Sequence, residues 1–481
     1  MVLKDIYIDN FRSITDLAFK IEPVNNSYTY SLIGVNESGK SSFLMAIDLL
    51  NKKNISFPFD YFDESKEVSL TLKYLITDDE LKELKQTLLT EYNFEKTVLS
   101  KIVVESVSLK IAFEPTPSAS QVISEKIIFK ESLFPDYTIS DVSPVKKSKD
   151  TEGEDDFDLN IFFEETLPDY FWKNSHYVTF WKSSPEYLIS DEIDLIKFSA
   201  NPQSISIPLK NCFTLSGIED ISDQIPKLNS PVAIQNLEEL LGDKVTNHIN
   251  KIWLEHPVKI KFKINNNKVT FLVEDKGVKF KNKTTSQRSD GFRQLISFLL
   301  TLSAENSSQE LTNTILLLDE PETHLHPTAQ INLKNELIKL SQKSNNNIVF
   351  FATHSNYMID KENIERCYKV YKEKNSYSKC EKILMANTSY SEVNYEVFEI
   401  ATNDYHNELY GFLEETNKAK LSSLPKEKKW KNEKRNITEE VSLSTYIRHS
   451  IHHPENTSNP KFTEKELKES IETLKKLKHK D

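Results

Sequence analysis

Residues Tyr28–Ser42 read YTYSLIGVNESGKSS, and the eight that follow, Phe43–Leu50, read FLMAIDLL. The first six are β-rich and mostly apolar, and the last eight carry apolar residues at helical spacing. Between them GVNESGKSS, Gly34–Ser42, fits G-x-x-x-x-G-K-[ST] in the strand-then-helix setting that the pattern requires. A chance match in a loop would lack both flanking elements. Such a loop cradles phosphate: glycine lets successive backbone N–H groups turn inward, and the helix N-terminus adds its positive end. Lys40 is expected to reach the β- and γ-phosphates of ATP, and the Ser41 hydroxyl to take a Mg2+ position. Gly34, Asn36, Glu37, Ser38, Gly39 and Ser42 complete the loop expected against the nucleotide. Glycine is scarce, 8 in the chain, and Gly34, Gly39 and Gly291 all fall inside motifs.

A second stretch, TNTILLLDEPETHLHPTAQ at Thr312–Gln330, sets a buried strand ahead of acids. A carboxylate at the end of a dry strand suits phosphoryl transfer to water. Asp319 is expected to hold Mg2+ through its water shell, and Glu320 to orient and polarise the attacking water. Zinc is disfavoured: His324 and His326 are two apart, with no H-E-x-x-H or CxxC nearby. Downstream, IVFFATHS is another apolar strand, ending at His354, which can hydrogen-bond a γ-phosphate. RSDGFRQLISFLL, Arg288–Leu300, opens an amphipathic helix with Ser289 and Gly291, a hydroxyl and bare N–H groups offered to an anion.

A chain of 481 residues is long for one domain. Its 38% hydrophobic and 28% charged content is that of a soluble protein with real cores. No run approaches the roughly 20 apolar residues of a membrane span, and the N-terminus has no signal-peptide core. The three cysteines, Cys212, Cys367 and Cys380, are far apart and read as reduced thiols in the cytoplasm. A net charge of −12 argues against gripping nucleic acid unaided, since phosphate neutralisation supplies most of that affinity.

The expected order is an N-terminal lobe with the phosphate loop (1–67) and a mixed β-rich insertion (68–285), with an acidic linker near 146–158. A second lobe (286–390) and a helical module (391–481) follow. Strand–helix alternation over 286–370 predicts a mostly parallel α/β sheet. Within the insertion, VKIKFKINNNKVTFLVED predicts two strands joined at an Asn-rich turn. No internal repeat or sustained heptad run is present.

GVNESGKSS, SDGFRQ, LLLDEPETHLHP and ATHS, in this order, resemble the ATPase heads of the SMC/ABC superfamily. IDNFRSI near the start is similar to that family's first strand, which implies that Arg12 reaches toward the nucleotide. The resemblance implies a head-to-head dimer sandwiching two ATPs, with Ser289 and Gly291 acting in trans. It covers residues 1–50 and about 286–370. The family's glutamine between the phosphate loop and the signature finds no counterpart. More narrowly, DEPETHLHP and RSDGF beside a β-rich insert resemble the OLD-like ATPases of bacterial anti-phage systems, which include Gabija, PARIS and Septu. The tail lacks the acidic pattern of a Toprim nuclease. It therefore resembles the stand-alone ATPase subunits of Septu and PARIS. What this implies is an ATPase that senses infection, through a phage protein or nucleic acid, and controls a separate HNH or Toprim nuclease. Two rivals stand beside it: an SMC-type DNA-maintenance ATPase, and a self-contained ribonuclease. The latter rests on STYIRHSIHHPEN, in which Arg448 and His453 resemble the R-x(4–6)-H pattern of HEPN ribonucleases. An imidazole moves protons near neutral pH and a guanidinium stabilises a phosphorane. A capped turn with basic residues at a helix C-terminus accounts for the same residues, and a docking platform for a partner is a further alternative for the module.

Overall fold

The strand Thr29–Ile33 is buried at all five positions and Ile348–Thr353 at all six, while Thr314–Asp319 is buried up to its final Asp319. Strands without an exposed side must be covered on both faces, as in a parallel sheet between layers. In the computed structural model these strands share a six-stranded sheet. Its order is Ser378–Lys382, Cys367–Lys372, Thr29–Ile33, Ile348–Thr353, Thr314–Asp319, Tyr177–Lys182. All neighbours are parallel except Ser378–Lys382, which runs antiparallel at one edge. The structure describes residues 1–478 except 93, 95, 101, 103, 117–122, 130–144, 147–155, 158–164, 166, 253–256, 276–281, 288–289, 306–311, 374–376, 384–388 and 434–436.

The two-residue period of a strand divides the apolar side chains between the faces. Ile315, Leu317, Ile348 and Phe350 enter one core together with Phe43, Leu44 and Ile47 of the helix Lys40–Ile47. Leu316, Leu318, Val349 and Phe351 enter another with Leu333 and Leu337 of the helix Pro327–Leu340. Phe43 stands edge-on to Phe19 and tilted against Phe350, with centroids 5.4 and 5.3 Å away, so the phosphate-loop helix is anchored on the strand that leads to His354. Burial of one such ring is worth about 1.5–3 kcal/mol.

The described chain divides into two units, Met1–Ile383 and Leu384–Asp481. The first holds the parallel α/β sheet and the phosphate loop expected from the motifs. The expected single insertion over 68–285 is corrected. Val68–Leu75 pairs with Val2–Phe11, and Ser106–Phe113 and Ile123–Phe129 follow outward. With Ile14–Lys20 on the other side they make a five-stranded antiparallel sheet. Tyr177–Lys182 instead closes the parallel sheet beside Thr314–Asp319. Alternation announces a buried face but not the sheet to which it belongs.

What remains of the insertion has its own core, drawn from residues between Ile189 and Leu300. There Val258–Asn265 alternates buried and partly or fully exposed positions and pairs with Lys268–Asp275. The turn between them carries Asn266 and Asn267 at φ 48 and 59°, the left-handed pair that a two-residue hairpin needs. Helices Pro231–Ile252, Ile207–Leu215 and Asp290–Glu305 pack on this lobe. The acidic linker lies mostly outside the described residues; Val145–Lys146 pairs with Asp156–Phe157 at its ends.

The second unit is mainly helical. Tyr395, Tyr405, Leu409, Ile447, Leu467 and Ile471 form its core. The module expected to be helical also holds a hairpin: Ile437–Val441 is a strand paired with Lys428–Asn432, and a helix begins at Leu443 behind a Ser442 cap.

Candidate active site

Parallel strands all leave a sheet at one edge, and in α/β folds ligands bind beyond their carboxyl ends. Gly34 follows Ile33, Asp319 ends its strand, His354 follows Thr353, and Lys372 ends Cys367–Lys372. The register sets Thr353 opposite Ile33 and Asp319 opposite Ala352, so the motif ends meet. A cavity of about 420 Å3 opens there, lined by residues 36–42, by Glu320 and His354, and by Ser13 and Lys372.

The loop's shape demands its glycines. Gly39 sits at φ 110°, and a Cβ there would lie 2.7 Å from the Ser378 Cβ. A Cβ on Gly34 would overlap the Val370 carbonyl. The Ser378 hydroxyl donates to the Ser38 carbonyl (2.6 Å), and its N–H donates to the Ser13 carbonyl (2.6 Å), clamping the loop from the sheet edge. Lys40 is 5% exposed, its Nζ donating to the Gly34 and Val35 carbonyls at 2.9 and 3.0 Å. Burial lowers its pKa to about 8 despite the pull of Glu320, Asp319 and Glu322.

The Ser41 hydroxyl donates to Asp319 Oδ1 at 3.0 Å, and burial raises the Asp319 carboxyl. Together they offer the hard oxygen donors that Mg2+ selects, so the residues fit that ion. Glu320 adopts φ 52°, a left-handed conformation that costs a side-chain-bearing residue about 1–2 kcal/mol. Its carbonyl accepts from the Thr323 N–H (3.2 Å), the Thr323 hydroxyl (2.9 Å) and Gln294 Nε2 (3.3 Å), which offsets that strain. Its Oε1 lies 3.1 Å from His354 Nε2, and that hydrogen bond holds the carboxyl below its ordinary pKa. An ionised carboxylate against an imidazole, beside a phosphate-type loop, can take a proton from a water.

Other expected residues lie elsewhere. Arg12 donates through Nε to Asp60 Oδ1 at 2.6 Å, and it is the adjacent Ser13 that lines the cavity. To reach a nucleotide Arg12 would have to leave Asp60. Ser289 falls outside the described residues. Gly291 is buried, and a Cβ there would overlap the His324 carbonyl and meet Leu325 Cδ2 at 3.2 Å. Its glycine therefore already has a reason within one chain. In the second unit the Arg448 guanidinium lies 5.5 Å over the Tyr410 ring, whereas His453 Nδ1 lies 3.4 Å from Glu455. Within one chain the two side chains serve different neighbours.

Lys372, Ser13, Gln294 and Glu322 were not foreseen. Lys372 was open to inference, since a basic residue ending a strand that pairs with the phosphate-loop strand lies at the ligand edge. Nothing in the sequence marks the burial of Gln294 or Glu322.

The profile of the family described as AAA ATPase domain matches residues 1–359, well over half of the chain. The chain belongs to the AAA ATPase domain family. Among curated relatives, the Old nuclease of Escherichia phage P2 is 33% identical over 81 residues, 17% of this chain and 14% of that protein. An uncharacterized protein of Methanocaldococcus jannaschii is 28% identical over 136 residues, 27% of this chain and 34% of its own length. The chain thus spans about a third or less of the curated relatives it matches. Solved structures similar to this AAA ATPase-family chain include the SMC head domain from Thermotoga maritima, at 11% identity and a TM-score of 0.35, covering 80% of this chain and 100% of that one. Another is the Smc head with an extended coiled coil bound to the C-terminal domain of ScpA, derived from Pyrococcus furiosus, at 12% identity and a TM-score of 0.41, covering 79% and 96%. With the family established and its motifs in order, this chain carries an ATPase domain. No described helix is long and apolar enough to cross a membrane.

Proposed function

We propose that this chain binds ATP with Mg2+ and hydrolyses it, using Glu320 as general base. What carries the reading is the meeting of two pairs at one edge, Ser41 with Asp319 at 3.0 Å and Glu320 with His354 at 3.1 Å. The phosphate-binding loop holds the triphosphate through backbone N–H groups and Lys40. Ser41 and Asp319 hold Mg2+, which neutralises charge on the phosphates. Glu320 takes the proton of the attacking water, and His354 fixes the orientation of that carboxylate. Lys372 adds a second cation to the cavity. The test is paired: Lys40→Ala loses ATP affinity, whereas Glu320→Gln keeps it and turns over roughly 100-fold or more slowly, the range for loss of a general base. Turnover at the wild-type rate in Glu320→Gln would remove Glu320 from that role.

The motif resemblance supports a further part of the proposal. Two copies close head to head over ATP, Ser289 and Gly291 of each facing the nucleotide of the other, and the closed form controls a separate nuclease in an anti-phage complex. Light scattering of Glu320→Gln should show a dimer with ATP and Mg2+ and a monomer without. Phage-DNA cleavage by an added HNH or Toprim nuclease should depend on Lys40.

A further inference from the structure

We propose that Glu322 is a positioning residue for ATP hydrolysis, tying the backbone that carries His354 to the segment that carries Glu320; this rests on the roles given above to those two residues. In DEPE, Asp319 is bonded to the cavity-lining Ser41 and Glu320 lines the cavity itself, whereas Glu322 does neither. Glu322 is 4% exposed, and among the described residues no lysine or arginine forms an ion pair with it. Its Oε1 accepts from the Thr353 hydroxyl and, at 3.4 Å, from the His354 N–H. Its Oε2 is buried and, among the described residues, has no hydrogen-bond partner.

The connection continues beyond the carboxylate. Thr353 Oγ1 accepts from the Ser355 N–H at 2.9 Å, and the Ser355 hydroxyl donates to Gln330 Oε1 at 2.5 Å. Gln330 Nε2 in turn donates to the Leu325 carbonyl at 2.8 Å. The turn 353–355 is therefore fastened at two points to the loop that follows Glu320. For stability alone, a buried carboxylate with one oxygen unsatisfied is inferior to an apolar side chain of its size. For catalysis it fixes the His354 backbone, and with it the 3.1 Å contact on Glu320, where misplacement by about 1 Å can cost roughly 100-fold in rate.

Steady-state ATP hydrolysis by the full chain tests this in Glu322→Met, Thr353→Val and Glu322→Gln, alongside Glu320→Gln. In Glu322→Met and Thr353→Val, KM for ATP should stay within roughly twofold while kcat falls roughly ten- to hundredfold. Glu322→Gln keeps an oxygen for both donors, and its kcat should return to within roughly threefold of wild type. Unchanged kcat in Glu322→Met and Thr353→Val overturns the proposal, as does Glu322→Gln no better than Glu322→Met. Should Glu322→Met not fold, Thr353→Val decides alone, since valine keeps the shape of threonine. Turnover lost in Glu320→Gln yet kept in Glu322→Met and Thr353→Val overturns only this proposal. A wild-type chain without turnover, or Glu320→Gln at the wild-type rate, overturns the hydrolysis reading and this one with it.

Discussion

Glu322 should make the nucleotide-free head less stable as the solution becomes more alkaline, and replacing it with glutamine should remove that dependence. Burial, which outweighs the hydrogen bond from Thr353, raises its pKa from 4.5 to about 7, and the Glu320 charge adds to the rise. A carboxyl whose folded pKa lies above its unfolded one contributes stability in full below pH 4.5 and loses it as pH climbs through about 7. At about 1.36 kcal/mol per pK unit, the change between pH 5 and pH 8 is on the order of 2–3 kcal/mol. Glutamine does not titrate, but it puts an amide where Oε2 has no partner, a fixed cost of about 1–3 kcal/mol. The quantity to follow is therefore the difference in Tm between Glu322→Gln and wild type at several pH values, in which all other titrating groups cancel. That difference should move in favour of the variant by roughly 2–5 °C from pH 5 to pH 8 for a unit of this size. A difference that stays flat, or that moves the other way, would show that Glu322 ionises in the folded head as easily as in water.

Three other perturbations test separate parts of the molecule. Gly291→Ala forces a methyl against the His324 carbonyl; a loss of about 1–3 kcal/mol should lower Tm without ATP, and an unchanged Tm would leave the glycine needed only by a partner head. Because Lys40 deprotonates near pH 8 in the free protein and phosphate favours its ammonium form, ATP affinity should fall above pH 8, by at most about tenfold per pH unit. Fluorescent-nucleotide titrations from pH 7 to 9.5 would expose a flat response if that reasoning is wrong. Arg366 is 2% exposed and donates to Asp360 at 2.9 Å. Arg366→Met should therefore cost about 3–5 kcal/mol by stranding a buried carboxylate, with much of the loss recovered in Asp360→Asn/Arg366→Met on urea denaturation.

The parts of the molecule that were legible in the sequence are those in which local chemistry leaves little choice. A strand covered on both faces must be apolar throughout, as LLL and IVFFA are, and a loop that wraps phosphate needs glycine at φ 110° followed by lysine and serine. The Asn266–Asn267 turn is legible for the same reason. Pairing is not local. Val68–Leu75 has the pattern of any half-buried strand, and only the docking of its apolar face assigns it to Val2–Phe11 and not to an insertion. The strand Ile437–Val441 reads ITEEV, exposed but for its last residue, and its stability comes from the Lys428–Asn432 strand opposite, with Trp430 buried beside Val441. Glutamate is usually solvated, so Glu322 looks like surface until the strand carrying Thr353 lies beside the one carrying Asp319. The same holds for the site as a whole. Ser41 and Asp319 are 278 residues apart, and each announces its chemistry without indicating the other. They meet because two parallel strands place their carboxyl ends on either side of a third, so the register of that sheet brings together the parts of the site that the motifs announce separately.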